Sequence, residues 1–394
     1  MHRSTGHIKS LIPYLFLAAL FSLSCFSREN VPKSPDELLG TASAIYLPLS
    51  QTLSPEQGYP RSIVNGLDWH LTPPEQWTSG FFPGILWQLY QYTGNPSFSV
   101  QARRWTEGLE TQQTAPTHDV GFMINNSFGH GYRVGGIERY KTVVLDAAQH
   151  LASRFNARVG AIRSWDGGSF TYPVIIDNMM NLELLFWAAR NSADSSLAEL
   201  AQTHALTTIR DHVRANGSTF HVVDYQPETG EVIWRGTHQG WADSSTWARG
   251  QAWGLYGFTV AYRETREPVF LETACRLADR FLERLPEDGI PYWDFDAPHE
   301  PEEPKDASAA AIAASGLWTL ATLVDQAVLK RHYRAASKRL VESLSSSWYS
   351  AVASGLPALL LHSTGDRPHN IEVNVPMIYA DYYFIEALMK QASK

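Results

Sequence analysis

The chain has 394 residues, 44% of them hydrophobic and 18% charged, with a formal charge of −8. That balance describes a globular protein with a large core rather than a disordered chain. An acidic total without long basic runs excludes a nucleic-acid footprint or a polybasic membrane surface.

The first residues read as an export signal. His2, Arg3 and Lys9 precede the apolar run LIPYLFLAALFSL, which ends at Ser24 and Cys25. The pattern is similar to a bacterial lipoprotein signal, with Ser22 where a leucine is usual. Residues 1–24 are therefore expected to be removed as a signal peptide and Cys25 to carry lipid, giving an exported, periplasmic or outer-membrane-anchored protein with residues 25–34 as a linker. Plain secretion is the alternative. The other cysteine, Cys275, falls on the apolar face of LETACRLADRFLERL and reads as an inert core thiol, so no disulfide framework exists.

From residue 35 to 394 two kinds of helical segment alternate. Amphipathic ones such as SPDELLGTASAIYLPL, SFSVQARRWTEGLETQ and PVFLETACRLADRFLERL carry charge on one face. Each is followed by a segment apolar on most faces, such as SGFFPGILWQLYQYTG, DNMMNLELLFWAARN, DASAAAIAASGLWTLATL and MIYADYYFIEALMKQ. Helices apolar all round are buried and those with one charged face lie outside. The alternation predicts an all-α (α/α)6 toroid of six inner and six outer helices in one domain; an open α-solenoid of the same hairpins would not need inner helices this uniformly apolar.

In such a ring the inner helices all run the same way, so their N-termini share one rim. The long connectors 54–77, 156–176, 216–248, 286–305 and 349–376 lead into inner helices and form that rim, where polar, Gly-rich and Trp-rich sequence gathers. Trp77, Asp119, Asp177, Trp247, Arg249, Asp306 and Asp381 open or precede inner helices, and His238 and Gln239 lie just before one. An Asp there is ordinarily an N-cap. Asp306, followed by small residues, fits that role, and Asp381 inside an aromatic run fits a satisfied buried acceptor.

Asp119 and Asp177 point further. Two carboxylates across a pocket are the minimal apparatus for acid/base work on a glycosidic centre. Asp177 precedes Met179, Met180, Leu182 and Leu184, so burial is expected to raise its pKa against the pull of the helix N-terminus. Other signals are weak: Asp294 and Asp296 form an Asp-x-Asp without a third ligand nearby, and GHGYRVGG follows no strand. No metal centre, cofactor or nucleotide is expected.

Taken together, WTSGFFPGILWQLYQYTG, HDVGF, IIDNMMNLELLFWA, GTHQGWADSSTWARGQAWGLYGF, PEDGIPYWDFDAP, KDASAAAIAASGL and ADYYFIEAL resemble the unsaturated glucuronyl hydrolases, glycoside hydrolase family 88, in order from about residue 60 to the C-terminus. The resemblance implies an (α/α)6 barrel without cofactor that removes a terminal 4,5-unsaturated uronic acid from lyase-generated glycosaminoglycan oligosaccharides of chondroitin, heparin or hyaluronan type. It implies Asp177 as general acid/base and Asp119 as the second carboxylate. Trp77 and Trp165 would stack on sugar, while His221, Gln239, Trp247, Arg249 and Trp253 would line the uronate site, with Tyr382 or Tyr383 reaching in from the last helix. Arg249, His221 or His238 would offset the substrate carboxylate. Ser363, Thr364 and Arg367 read either as sulfate readers or as a polar surface loop. The competing readings are an unsaturated rhamnogalacturonyl hydrolase acting on pectin fragments and a catalytically inactive, lipid-anchored glycan-binding barrel.

Overall fold

The computed structural model describes residues 34–298 and 302–392. The predicted signal, Cys25 and the linker up to residue 33 lie outside the described residues. The inner helices are α2 (Phe81–Thr93), α4 (a π-helical stretch Gly121–Gly129 running into His130–Gly135), α6 (Asn178–Asn191), α8 (Ala248–Thr265), α10 (Ala307–Leu323) and α12 (Ile378–Ala392). Each packs on the next and α12 closes on α2, so the ring is complete. Outside it lie α1 (Pro35–Thr52), α3 (Pro96–Glu107), α5 (Arg139–Ser153), α7 (Ser196–Asp211), α9 (Pro268–Glu283) and α11 (Ala327–Leu344). This is the (α/α)6 toroid.

Local chemistry sets the helix boundaries. Ser34 and Glu37 form a capping box at the start of α1, with Pro35 in the first turn. Gly94 ends α2 in the left-handed conformation at φ 65°, and Asn95 then caps α3 ahead of Pro96. Inside the ring two glycines set helix spacing. A Cβ on Gly121 would fall 2.3 Å from Asn181 Oδ1, and one on Gly257 would fall 2.4 Å from Met179 Cβ. Any side chain there would push α4 and α8 away from α6.

The connectors hold strands that periodicity did not reveal. β1 (Tyr59–Ser62) pairs with β2 (His70–Thr72), and β3 (Phe155–Asn156) with β4 (Ala161–Ile162). β5 (Pro173–Ile175), β6 (Val222–Tyr225) and β7 (Val232–Gly236) form a three-stranded antiparallel sheet. Strands of two to five residues are too short to show alternation. Their effect is to stiffen the rim: Ile176 N–H donates to His221 O (3.0 Å) directly after β5, fixing where α6 begins.

Candidate active site

Asp177 is the residue before the first turn of α6, in helical conformation, yet its side chain makes no capping bond. Asn178 behind it is anchored through Nδ2 to Ile162 O (2.8 Å), so the helix start is held while the Asp177 carboxyl turns into the ring. It lines a cleft of about 240 Å³ with Trp77, His118, Asp119, Trp165, Gln239, Arg249 and Tyr379. That is smaller than the ~300–1,000 Å³ of drug-sized sites, a volume for a terminal sugar rather than a polymer. Both aspartates therefore open onto one cavity.

The Asp177 carboxyl is pushed up to about 7, chiefly by burial. The charge of Asp119 raises it further; Arg249 and the Trp253 N–H pull the other way without prevailing. Its Oδ2 is buried and unpaired, and His221 Nε2 stands 3.7 Å away, just beyond hydrogen-bond range. His221 Nδ1 accepts the backbone N–H groups of His238 and Gln239, both at 3.2 Å. The proton must then sit on Nε2, facing Asp177. Burial holds His221 well below its usual pKa, so it is a neutral donor and not the cation expected from the sequence.

Asp119 is held by a parallel device. Asn181 Oδ1 accepts Phe122 N–H (2.9 Å), which orients the amide so that Nδ2 meets His118 Nδ1 at 3.3 Å. His118 Nε2–H is thereby aimed at Asp119 Oδ1, 3.3 Å away, while Thr117 Oγ1 donates to Oδ2 at 3.0 Å. Burial keeps His118 below its usual pKa as well. Each carboxylate thus faces one neutral imidazole N–H.

Trp77 and Trp165 are half-buried at the cleft, Trp77 packed on Tyr379 and Phe122, Trp165 beside Phe170. Arg249 is buried, bonded through Nη1 to Asp306 (3.1 Å) and Thr364 O and through Nη2 to Gly365 O (2.7 Å). Asp306 also caps α10 through Ser308 N–H, so its N-cap reading and its pairing to Arg249 coexist.

Five expected site residues stand elsewhere. Trp247 is buried behind the wall, stacked on His221 with ring centroids 4.3 Å apart and lying under Arg249. Trp253 is fully buried between Phe122 and Tyr383, and acts only through its indole beside Asp177. His238 is at the rim, facing His369 and Trp165. Tyr382 and Tyr383 belong to a separate cavity of about 350 Å³ at the C-terminal ends of the inner helices, with Glu183, Arg263 and Glu386. Ser363 and Thr364 are buried and cannot meet a sulfate, and Arg367 lies beside Glu303. Asp294 is engaged by Ser245 Oγ and Trp241 N–H, and Asp296 by Thr246 N–H and Arg284.

The sequence reading missed Arg61, Glu372, Asp366 and Tyr379, which all line the cleft. Arg61 grips Glu372 through two bonds of 2.7 and 2.9 Å, and Ser62 Oγ adds a third to the same carboxylate at 2.7 Å. Tyr379 was findable, because it lies one turn nearer the rim than Tyr382 on the same helix.

Comparison with known proteins gives the family of the chain. No family model matches the chain. An unsaturated glucuronyl hydrolase from Formosa agariphila is 42% identical over 352 residues, spanning 87% of this chain and 84% of its own. The chain belongs to the unsaturated glucuronyl hydrolases of glycoside hydrolase family 88. An unsaturated chondroitin disaccharide hydrolase from Streptococcus pyogenes is 30% identical over 346 residues, 85% of this chain and 86% of that protein. The crystal structure of an unsaturated glucuronyl hydrolase specific for heparin matches with a TM-score of 0.87 at 41% identity, covering 91% of this chain and 96% of that one. Membership in this family makes the chain a glycosidase.

Proposed function

We propose that the enzyme removes the terminal 4,5-unsaturated uronic acid from lyase-generated glycosaminoglycan oligosaccharides by hydrating the C4=C5 double bond. One observation carries this reading: a largely buried carboxyl whose Oδ2 is unpaired, holding its proton to about 7, opens onto the same cleft as a second aspartate. A proton donor of that kind suits an enol ether, whose C4 is electron-rich.

Asp177 gives its proton to C4, leaving oxocarbenium character on C5 and the ring oxygen. Water adds at C5 and the Asp177 carboxylate takes its proton, restoring the acid. The resulting hemiketal opens and releases the following sugar, with no attack at the anomeric carbon. The rule that relates carboxylate separation to retention or inversion does not govern this route. Asp119 holds ring hydroxyls, and its charge adds to burial in keeping the proton on Asp177. Arg249 Nε, buried without a partner among the described residues, faces the substrate carboxylate. Trp77 and Trp165 offer faces to the sugar rings.

The test is loss of the enol-ether ultraviolet absorbance from unsaturated heparin and chondroitin disaccharides by purified enzyme in the presence of a chelator. Intact disaccharides, with binding retained, would replace this reading with the inactive glycan-binding one. Turnover of an unsaturated rhamnogalacturonide alone would move it to pectin fragments. Export and lipidation at Cys25 complete the proposal, supported by the N-terminal sequence. Cys25→Ser is expected to release the protein from the membrane fraction, and an unchanged distribution would contradict the anchor.

A further inference from the structure

We propose that His238, Asp366 and His369 form a binding site for one divalent transition-metal ion at the rim of the cleft. One ligand atom from each, two imidazole nitrogens and a carboxylate oxygen, lies within 4.8 Å of the others. Ligands about 2.0–2.2 Å from a tetrahedral ion stand about 3.3 Å apart, so small side-chain rotations close the set.

The pair Asp366 and His369 alone would be an ordinary local contact. His369 Nδ1 lies 2.9 Å from both Asp366 oxygens, and its backbone N–H is 3.4 Å from Oδ1. His238 makes the difference, because it arrives from another connector, residues 216–248 against 349–376, with its ring centroid 5.2 Å from that of His369. The two connectors are pinned where they meet. Gln239 Nε2 donates to Gly365 O at 2.9 Å, the carbonyl that Arg249 also holds, and the His238 N–H is tied to His221. The ligands thus ride on a fixed backbone, which a metal site requires.

Two imidazoles and one carboxylate select a borderline ion such as Zn2+ over the all-oxygen preference of Mg2+ or Ca2+. Three protein ligands leave a fourth position open. Asp366 lines the cleft together with Gln239 and Trp165, so that position looks toward the sugar following the uronate, where water or an anionic sugar oxygen completes the set. This orientation toward substrate rests on the function proposed above; the binding of the ion does not.

The test is titration of the full chain with Zn2+ in competition with a chromophoric chelator, repeated for His369→Ala. The wild type is expected to take one equivalent in the micromolar range, with Mg2+ and Ca2+ failing to displace it, and X-ray absorption should show imidazole ligands. His369→Ala is expected to weaken binding by about tenfold or more while keeping the thermal midpoint measured in chelator. Equal affinity in the variant, or no binding in that range, overturns the site and assigns any zinc to other surface histidines. A chain that binds Zn2+ at these residues yet leaves unsaturated disaccharides intact keeps the site and removes only the functional reading.

Discussion

Asp177 directly precedes α6 and Asp381 lies in the first turn of α12, both towards the rim-side starts of inner helices, and burial pushes both carboxyls up to about 7. Their partners differ. Asp381 Oδ2 accepts from Tyr46 Oη (2.5 Å) and Leu359 N (2.7 Å), and Oδ1 accepts from Leu360 N (3.0 Å), tying α12 to α1 and to the last connector. Asp177 Oδ2 has no hydrogen-bond partner among the described residues and faces a cleft. A raised pKa therefore does not by itself mark a catalytic acid: hydrogen-bond saturation distinguishes a clamp from a reagent.

The sharpest way to break this comparison is to neutralise each aspartate. Asp177→Asn is expected to lower kcat by about a thousandfold, near the middle of what a positioned general acid supplies, without loss of fold. Its stability should respond to pH in a definite sense. The native carboxyl keeps its proton to about 7 whereas an unfolded one releases it near 3.8, so the wild type loses stability as pH rises between those values. Asp177→Asn removes that part of the decline, and its melting temperature should exceed the wild type's at pH 8 but not at pH 4. Asp381→Asn loses the same pH-dependent decline, because its carboxyl is raised as far, but at pH 4 it should be destabilised by about 3 kcal/mol as one buried donor is left facing an amide N–H, while the folded fraction keeps kcat within about twofold. A large kcat loss there with unchanged melting would erase the distinction between the two sites.

Smaller perturbations sharpen it. Asn181→Asp still accepts from Phe122 N–H but turns an oxygen toward His118 Nδ1, forcing the imidazole proton away from Asp119. An activity loss of about tenfold is expected in steady-state kinetics, the scale of an orienting hydrogen bond of about 1.4 kcal/mol. Tyr46→Phe removes one of three donors from Asp381 and should cost about 1 kcal/mol in denaturant melts with kinetics unchanged.

The helical ring was legible because an all-apolar inner helix and a one-faced outer helix differ along their whole length, and six alternations leave closure as the natural solution. Asp119 and Asp177 were legible as acids directly before apolar helices. What failed was depth and side. Periodicity places Tyr379, Tyr382 and Tyr383 on the buried part of α12 but does not say that the first lines the cleft while the other two line the far cavity. Trp247 and Trp253 carry the same residue type as Trp77, yet they are packed behind the wall. Arg61 and Glu372 meet across 311 residues in connectors without a period, and Glu372 sits in the left-handed region at φ 54°. Only the folded chain shows that this uncommon conformation is held by Arg61 and Ser62.

The central claim is that Asp177 acts as a neutral acid. It is tested most directly by the pH dependence of kcat/KM on an unsaturated disaccharide, which reports groups in the free enzyme. The account predicts a rate that is lost as pH climbs through about 7, falling tenfold per unit beyond it. A rate that instead rises as a carboxyl ionises near its ordinary 3.8 and stays level through neutral pH would show that the ionised form is the working one and would contradict the account.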